Sequence, residues 1–263
     1  VKTDVVSEIV SVETVAPKHY AIRLTCSWES ATPGQFLHLW LPDHRDPFLR
    51  RPYTVYRLCD GFLDILFQVV GEGTALLSNQ PVGSTVRVLG PLGRGFALPL
   101  KGSTPYVVGG GVGMASLYLL VERLVADGFC PRVLVGARSA EYVLCRGDLL
   151  SLGVTPAVAT DDGSEGFHGF VTELLAQRLE AESAPEPVVY ACGPTPMMRA
   201  LSQVTRPRGV PTQVALENRM GCALGVCLGC VVPIETGSGV AYQRVCTEGP
   251  VFDAKTVRWE YRV

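Results

Sequence analysis

At 263 residues the chain is too long for one small domain and fits two domains plus a small appendage. A hydrophobic fraction of 47% supplies material for buried cores, and a net charge of −2 gives no general attraction to nucleic acid or anionic lipid. The longest apolar stretch, around Val107 to Val121, is broken by Gly109, Gly110, Gly111 and Gly113, whereas a membrane span needs about 20 mostly apolar residues.

The N-terminus, Val1-Lys2-Thr3-Asp4, lacks the apolar region of a secretory signal. Residues 1–101 then read as β-structure. Ile22, Leu24 and Cys26 alternate with polar positions, as do Leu37, Leu39 and Leu41, then Leu63, Ile65, Phe67 and Val69, then Val86 and Val88. Turn signals at Thr32-Pro33-Gly34, Asp60-Gly61 and Pro81-Val82-Gly83 separate them, which predicts a small antiparallel barrel. From 102 to 213 strands alternate with helices. A strand at Tyr106 to Val108 enters a glycine cluster, and a helix carries Met114, Leu117, Leu120, Val121 and Leu124 to a stop at Gly128. Strands follow at Arg132 to Val135, Thr155 to Ala159 and Val188 to Ala191. Thr172 is the expected cap of one helix, and Thr195 that of another with Pro196 at its first position. The pattern predicts a Rossmann-like parallel α/β domain. Residues 214–263 are rich in Gly and Cys with little periodicity, and a metal centre would organise a segment too short for its own core.

Nine cysteines is an odd count, which argues against a complete disulfide framework. Cys26, Cys59, Cys130, Cys145 and Cys192 are scattered, as small buried hydrophobes often are. Cys222, Cys227, Cys230 and Cys246 are spaced C-x4-C-x2-C with a distant fourth, the plant-type ferredoxin arrangement for a [2Fe–2S] cluster. A clustered set of this kind suits a cytoplasmic chain. The interleaved Gly221, Gly225 and Gly229 let backbone N–H groups turn toward sulfur. A four-cysteine zinc site is the alternative, but such sites usually carry two C-x2-C pairs, and only Cys227 and Cys230 form one.

Two phosphate-handling signals lie in the barrel region: Arg51-Pro52-Tyr53-Thr54, whose arginine can grip a pyrophosphate, and Gly71-Glu72-Gly73-Thr74. Either alone also reads as a plain surface turn. With Leu89-Gly90-Pro91-Leu92-Gly93 and the later Cys192-Gly193-Pro194, they make the chain resemble the ferredoxin–NADP reductase superfamily. The resemblance implies FAD, with Arg51 on its pyrophosphate, Tyr53 against the isoalloxazine, Thr54 near N5 and Pro52 among the cofactor-binding residues. It further implies Gly73 and Thr74 at the pyrophosphate, and Leu66, Phe67 and Gln68 along the ribityl and adenosine side. It also implies NAD(H) as a transient substrate beside Gly110, Gly111, Gly113, Cys192, Gly193 and Pro194. Asp161-Asp162-Gly163-Ser164 either faces the same cleft or is an exposed acidic turn. For coenzyme choice, Arg138 suits a 2′-phosphate and Glu141 a ribose hydroxyl.

The runs Glu217-Asn218-Arg219-Met220-Gly221-Cys222 and Val245-Cys246-Thr247-Glu248-Gly249-Pro250 narrow the resemblance to the electron-transfer subunits of dihydroorotate dehydrogenase B. Tyr53 and Thr54 stand where that family often has an aliphatic residue and Ser, and Gln68 where it often has Arg. The resemblance implies a relay between NAD(H), FAD and a [2Fe–2S] cluster. It implies an FMN-containing catalytic subunit that oxidises dihydroorotate, a heterotetramer, and no side-chain acid or base in catalysis. Ala223 to Val226 is the expected docking face. A reductase subunit serving a hydrogenase or sulfite reductase, a stand-alone diaphorase and a zinc-stabilised binding module are the alternatives.

Overall fold

A computed structural model describes residues 3–41, 46, 48–181 and 184–260; Val1 and Lys2 lie outside it. The first sheet contains β1 (Thr3–Ala16), β2 (His19–Thr25), β3 (Phe36–Trp40), β4 (Arg51–Thr54), β5 (Arg57–Cys59), β6 (Phe62–Gln68) and β7 (Thr85–Leu92). They are antiparallel neighbours in the order β4-β3-β7-β1-β2-β6-β5, and the short helix α1 (Glu72–Ser78) joins β6 to β7. The alternating residues of the sequence reading, Ile22, Leu24, Leu37, Leu39, Leu63, Ile65, Phe67, Val86 and Val88, share one core.

The second half runs β8 (Thr104–Gly110), α2 (Ala115–Ala126), β9 (Arg132–Ala137), α3 (Arg146–Ser151), β10 (Ala157–Thr160), β11 (Phe167–His168), α4 (Val171–Ala181), β12 (Pro187–Cys192), α5 (Thr195–Thr205) and β13 (Thr212–Ala215). Helix α2 buries Leu117, Leu120, Val121 and Leu124 against the sheet. It ends as expected at Gly128 (φ +84°), whose N–H donates to Val125 O while Phe129 N–H reaches back to Leu124 O. Two helix starts differ from expectation. Thr172 lies inside α4 and is buried, and the Glu173 carboxylate instead accepts the Phe170 N–H at 3.0 Å. At α5 the backbone of Pro194 takes the cap position, because its carbonyl accepts the Met198 N–H at 3.1 Å; Thr195 and Pro196 are both helical.

A hairpin, β14 (Val231–Thr236) and β15 (Gly239–Arg244), follows the cysteine loop, and β16 (Val251–Asp253) then returns to the second sheet. The order there is β11-β10-β9-β8-β12-β13-β16, parallel except for β16 against β13. The cysteine-rich segment therefore borrows its core: Ala223, Val232, Ile234, Val245 and Phe252 pack with Tyr106, Val189 and Val214 of the sheet and with Phe36 and Leu92 of the barrel. A second tie between the halves is Asp148 on α3, which accepts from Tyr56 OH and pairs with Arg57 across the domain boundary.

The chain places β9, β10 and β11 on one side of β8 and β12, β13 on the other. This reversal is the point where open α/β sheets form a ligand crevice at their carboxyl edge.

Candidate functional site

At that edge, β8 ends in Gly109-Gly110, runs into a 3-10 turn over Gly111–Met114 and enters α2. Beside it, β12 ends at Cys192, which pairs with Gly109, and turns through Gly193-Pro194. The turns pack backbone on backbone. A Cβ on Gly113 would lie 2.5 Å from Cys192 O, and one on Gly110 would lie 2.4 Å from Met197 Sδ. The structure thus brings Gly110, Gly111, Gly113, Cys192, Gly193 and Pro194 together, as the sequence reading expects. Cys192 is fully buried, and burial together with the Glu217 charge pushes its thiol up to about 12, against opposing hydrogen bonds from Ser116 and Gly193. It is a neutral thiol, suited to packing and not to nucleophilic attack.

Glu217, two residues past the end of β13, is exposed, yet desolvation by the protein around it raises its carboxyl above the ordinary carboxylate range. Asp162 plays no such part: its carboxylate is held by the Ser164 N–H at 2.9 Å and hydroxyl at 2.6 Å, and the Ser164 hydroxyl in turn accepts the Ala140 N–H at 2.8 Å. Arg138 lies 3.5 Å over the Tyr142 ring.

In the barrel, Arg51 at the start of β4 lies across Gly73, where a Cβ would come within 2.5 Å of its Nε. Arg51, Tyr53 and Gly73 line one small cavity with Leu49 and Leu76. Tyr53 is buried and meets Phe67 edge-to-face at 5.4 Å. Pro52 pairs with His38, and Thr54 follows half-buried. The Thr74 hydroxyl closes its own loop, accepting from Val70 N (2.9 Å) and donating to Gly71 O (2.8 Å). Leu66 and Phe67 point into two hydrophobic cores, and Gln68 is half-buried.

The cysteine loop, residues 216–230, has no regular structure. Ala223 (φ +57°), Gly225 (+84°) and Leu228 (+57°) take left-handed conformations that fold it inward. Leu224 N–H and Cys227 N–H both donate to Cys222 Sγ at 3.4 Å. Burial alone would raise the Cys222 thiol, but the N–H groups of Cys227, Leu224 and Val226 outweigh it and bring it down to about 6. The hairpin supplies the remaining cysteines: Val231 pairs with Arg244, and Val245 N–H donates to Cys230 O at 3.0 Å, which sets Cys230 beside Cys246. Cys222 and Cys227 thus share one turn of the loop, and Cys230 and Cys246 stand beside each other at the open end of the hairpin. Burial and Cys230 push the Cys246 thiol up to about 11. Among the described residues no three His, Cys, Asp or Glu side chains converge on one ion. Two thiol pairs under inward N–H groups fit a two-iron cluster. Arg244 fastens the halves, donating from Nη1 to Gly225 O (3.0 Å) and from Nε to Glu248 (2.8 Å). The sequence carried no signal for that tie.

A family model for the iron–sulfur cluster binding domain of dihydroorotate dehydrogenase B matches residues 217–258, and one for an oxidoreductase NAD-binding domain matches 107–203. The electron transfer subunit of dihydroorotate dehydrogenase B (NAD(+)) from Desulforamulus reducens is 40% identical over 97% of this chain and 98% of its own length. This chain belongs to the dihydroorotate dehydrogenase B electron-transfer subunit family. The family member from Bacillus caldolyticus is also 40% identical, over 95% of this chain and 96% of its own. In solved structures, a chain of an NADH-dependent reduced ferredoxin–NADP oxidoreductase superposes with a TM-score of 0.84 at 28% identity, over 97% of this chain and 90% of that one. A ferredoxin–NADP+ reductase from Neisseria gonorrhoeae shares the fold at a TM-score of 0.67 and 21% identity, over 78% of this chain and 92% of that one. The dihydroorotate dehydrogenase B family assignment makes the chain an oxidoreductase subunit with NAD-binding and iron–sulfur domains, working with a catalytic partner subunit. The cofactor set read from the sequence, FAD, [2Fe–2S] and NAD(H), agrees with these findings. Among the described residues no helix is long and apolar enough to cross a membrane.

Proposed function

We propose that this chain carries electrons between NAD(H) and an FMN-bearing dihydroorotate dehydrogenase catalytic subunit, in a cytoplasmic heterotetramer, through FAD and a [2Fe–2S] cluster. The observation that carries the reading is the loop that turns the Leu224 and Cys227 N–H groups onto the Cys222 sulfur while the hairpin sets Cys230 beside Cys246, in a segment that shares the core of the nicotinamide domain. Bound FAD supplies the exchange between hydride and single-electron chemistry, and the cluster supplies one-electron conduction.

The chain's own residues position these groups. Arg51, held across Gly73, grips the flavin pyrophosphate through charge-assisted hydrogen bonds. Pro52 and Tyr53 wall the flavin, Thr54 offers it a hydroxyl, and Gly73 and Thr74 shape the loop beside it. Leu66, Phe67 and Gln68 contribute mainly backbone. The paired turns at Gly110, Gly111, Gly113 and Cys192, Gly193, Pro194 receive the nicotinamide end of NAD(H), with the buried Cys192 packing beside it. Cys222, Cys227, Cys230 and Cys246 ligate the cluster.

The docking face centres on the rim of the cysteine loop. Ala223, expected there, is 1% exposed and belongs to the core, whereas Leu224, Val226 and Leu228 are 48%, 80% and 58% exposed. Three apolar side chains facing water around a redox centre suit burial against the catalytic subunit. Mixing the purified chain with an FMN-bearing catalytic subunit should restore dihydroorotate-dependent NAD+ reduction. If the chain reduces a hydrogenase or sulfite reductase component instead and leaves that subunit inert, the partner assignment fails.

A further inference from the structure

The loop and the hairpin close on a hydroxyl with nothing to bind. Thr247 Oγ1 is buried and makes no hydrogen bond, although buried hydroxyls are rarely left so. It stands against Gly225 of the cysteine loop: a Cβ there would lie 2.9 Å from Thr247 Cγ2 and 3.3 Å from its Oγ1. The Gly225 N–H is aimed at the Cys246 sulfur, and its carbonyl is taken by Arg244 at 3.0 Å. The neighbouring Glu248 carboxylate is engaged by Arg244, from Nε at 2.8 Å and from the backbone N–H at 2.7 Å, both on Oε2. A buried donor that makes no hydrogen bond therefore sits where the two cysteine-bearing segments meet, with the Glu248 carboxylate as its neighbour.

We propose that the Thr247 hydroxyl donates a hydrogen bond to a sulfur of the cluster held by Cys222, Cys227, Cys230 and Cys246, and so raises the cluster's reduction potential. The inference rests on the iron–sulfur reading above. Reduction adds one electron to the cluster, and no bond forms or breaks. The sulfurs become more negative, so a donor aimed at one of them favours the reduced state.

The test is a redox titration of the holoprotein, followed by the electron paramagnetic resonance signal of the reduced cluster. The parent is compared with Thr247→Val, Thr247→Ala and Thr247→Ser. At the parent's midpoint, Thr247→Val should lower the reduced-to-oxidised ratio by about three- to tenfold, the range expected for one hydrogen bond; tenfold is about 59 mV for one electron. Thr247→Ser, which keeps the hydroxyl, should stay close to the parent. A valine variant that titrates with the parent, or a serine variant that moves as far as valine, would overturn the proposal. If valine and alanine variants lose the cluster while serine keeps it, the hydroxyl is again the group required. If serine loses it too, the side chain acts by packing and the proposal falls. A parent without any cluster signal would instead sink the iron–sulfur reading itself.

Discussion

In the nicotinamide crevice, Gly110 and Cys192 stand at the ends of hydrogen-bonded parallel strands, and their close approach follows from the strand order. In the cysteine loop, position is set residue by residue, through left-handed Ala223, Gly225 and Leu228 and the long reach of Arg244. The first site is made rigid by a sheet; the second rests on individual turns and a single arginine tie, and a bound metal group would organise it further. A sheet-built site fails when a backbone contact is filled. A loop-built site fails when a ligand or a tie is removed.

Filling the crevice gives the larger effect. Gly113→Ala puts a methyl group 2.5 Å from Cys192 O, a backbone atom that cannot rotate away. It should destabilise the fold by about 1–3 kcal/mol, the usual cost of overpacking, and raise the KM for NADH while the cysteine loop keeps its cluster. Urea unfolding and steady-state kinetics check both; an unchanged midpoint and KM would show that the turns are not rigidly packed.

A smaller effect comes from Glu217. Desolvation by the surrounding protein raises the folded carboxyl of this exposed residue above the ordinary 4.5, so the folded state binds its proton more tightly than the unfolded one. The stability this gives is fully present below 4.5 and is lost as pH rises through the folded value. Glu217→Gln should therefore be more stable than the parent at neutral pH, with the difference closing on acidification. Urea midpoints measured across pH decide it; a variant less stable at neutral pH would mean that the carboxylate has a stabilising partner.

Much of this was legible from pattern. Period-two alternation from Ile22 to Val88 located the barrel core, and the cysteine spacing singled out the four cysteines of the loop and hairpin. Strand β1 escaped because register shifts near Ile9 and Ser11, and again at Thr14 and Ala16, break its alternation. The cap of α4 escaped because a side chain three residues on, Glu173, competes with Thr172 for that role. Glu217, Arg244 and Thr247 act only through neighbours brought close by tertiary structure, and no local pattern carries that. The same holds for Asp148, which meets Tyr56 across 92 positions.

The most direct test of the relay is anaerobic addition of NADH to the parent and to Cys222→Ser, followed by flavin absorbance and electron paramagnetic resonance. The account predicts a bleached flavin and a reduced [2Fe–2S] signal in the parent, and in Cys222→Ser a bleached flavin without that signal and without electron delivery to the catalytic subunit. A colourless zinc protein, or a Cys222→Ser variant that still reduces the partner at the parental rate, would contradict it.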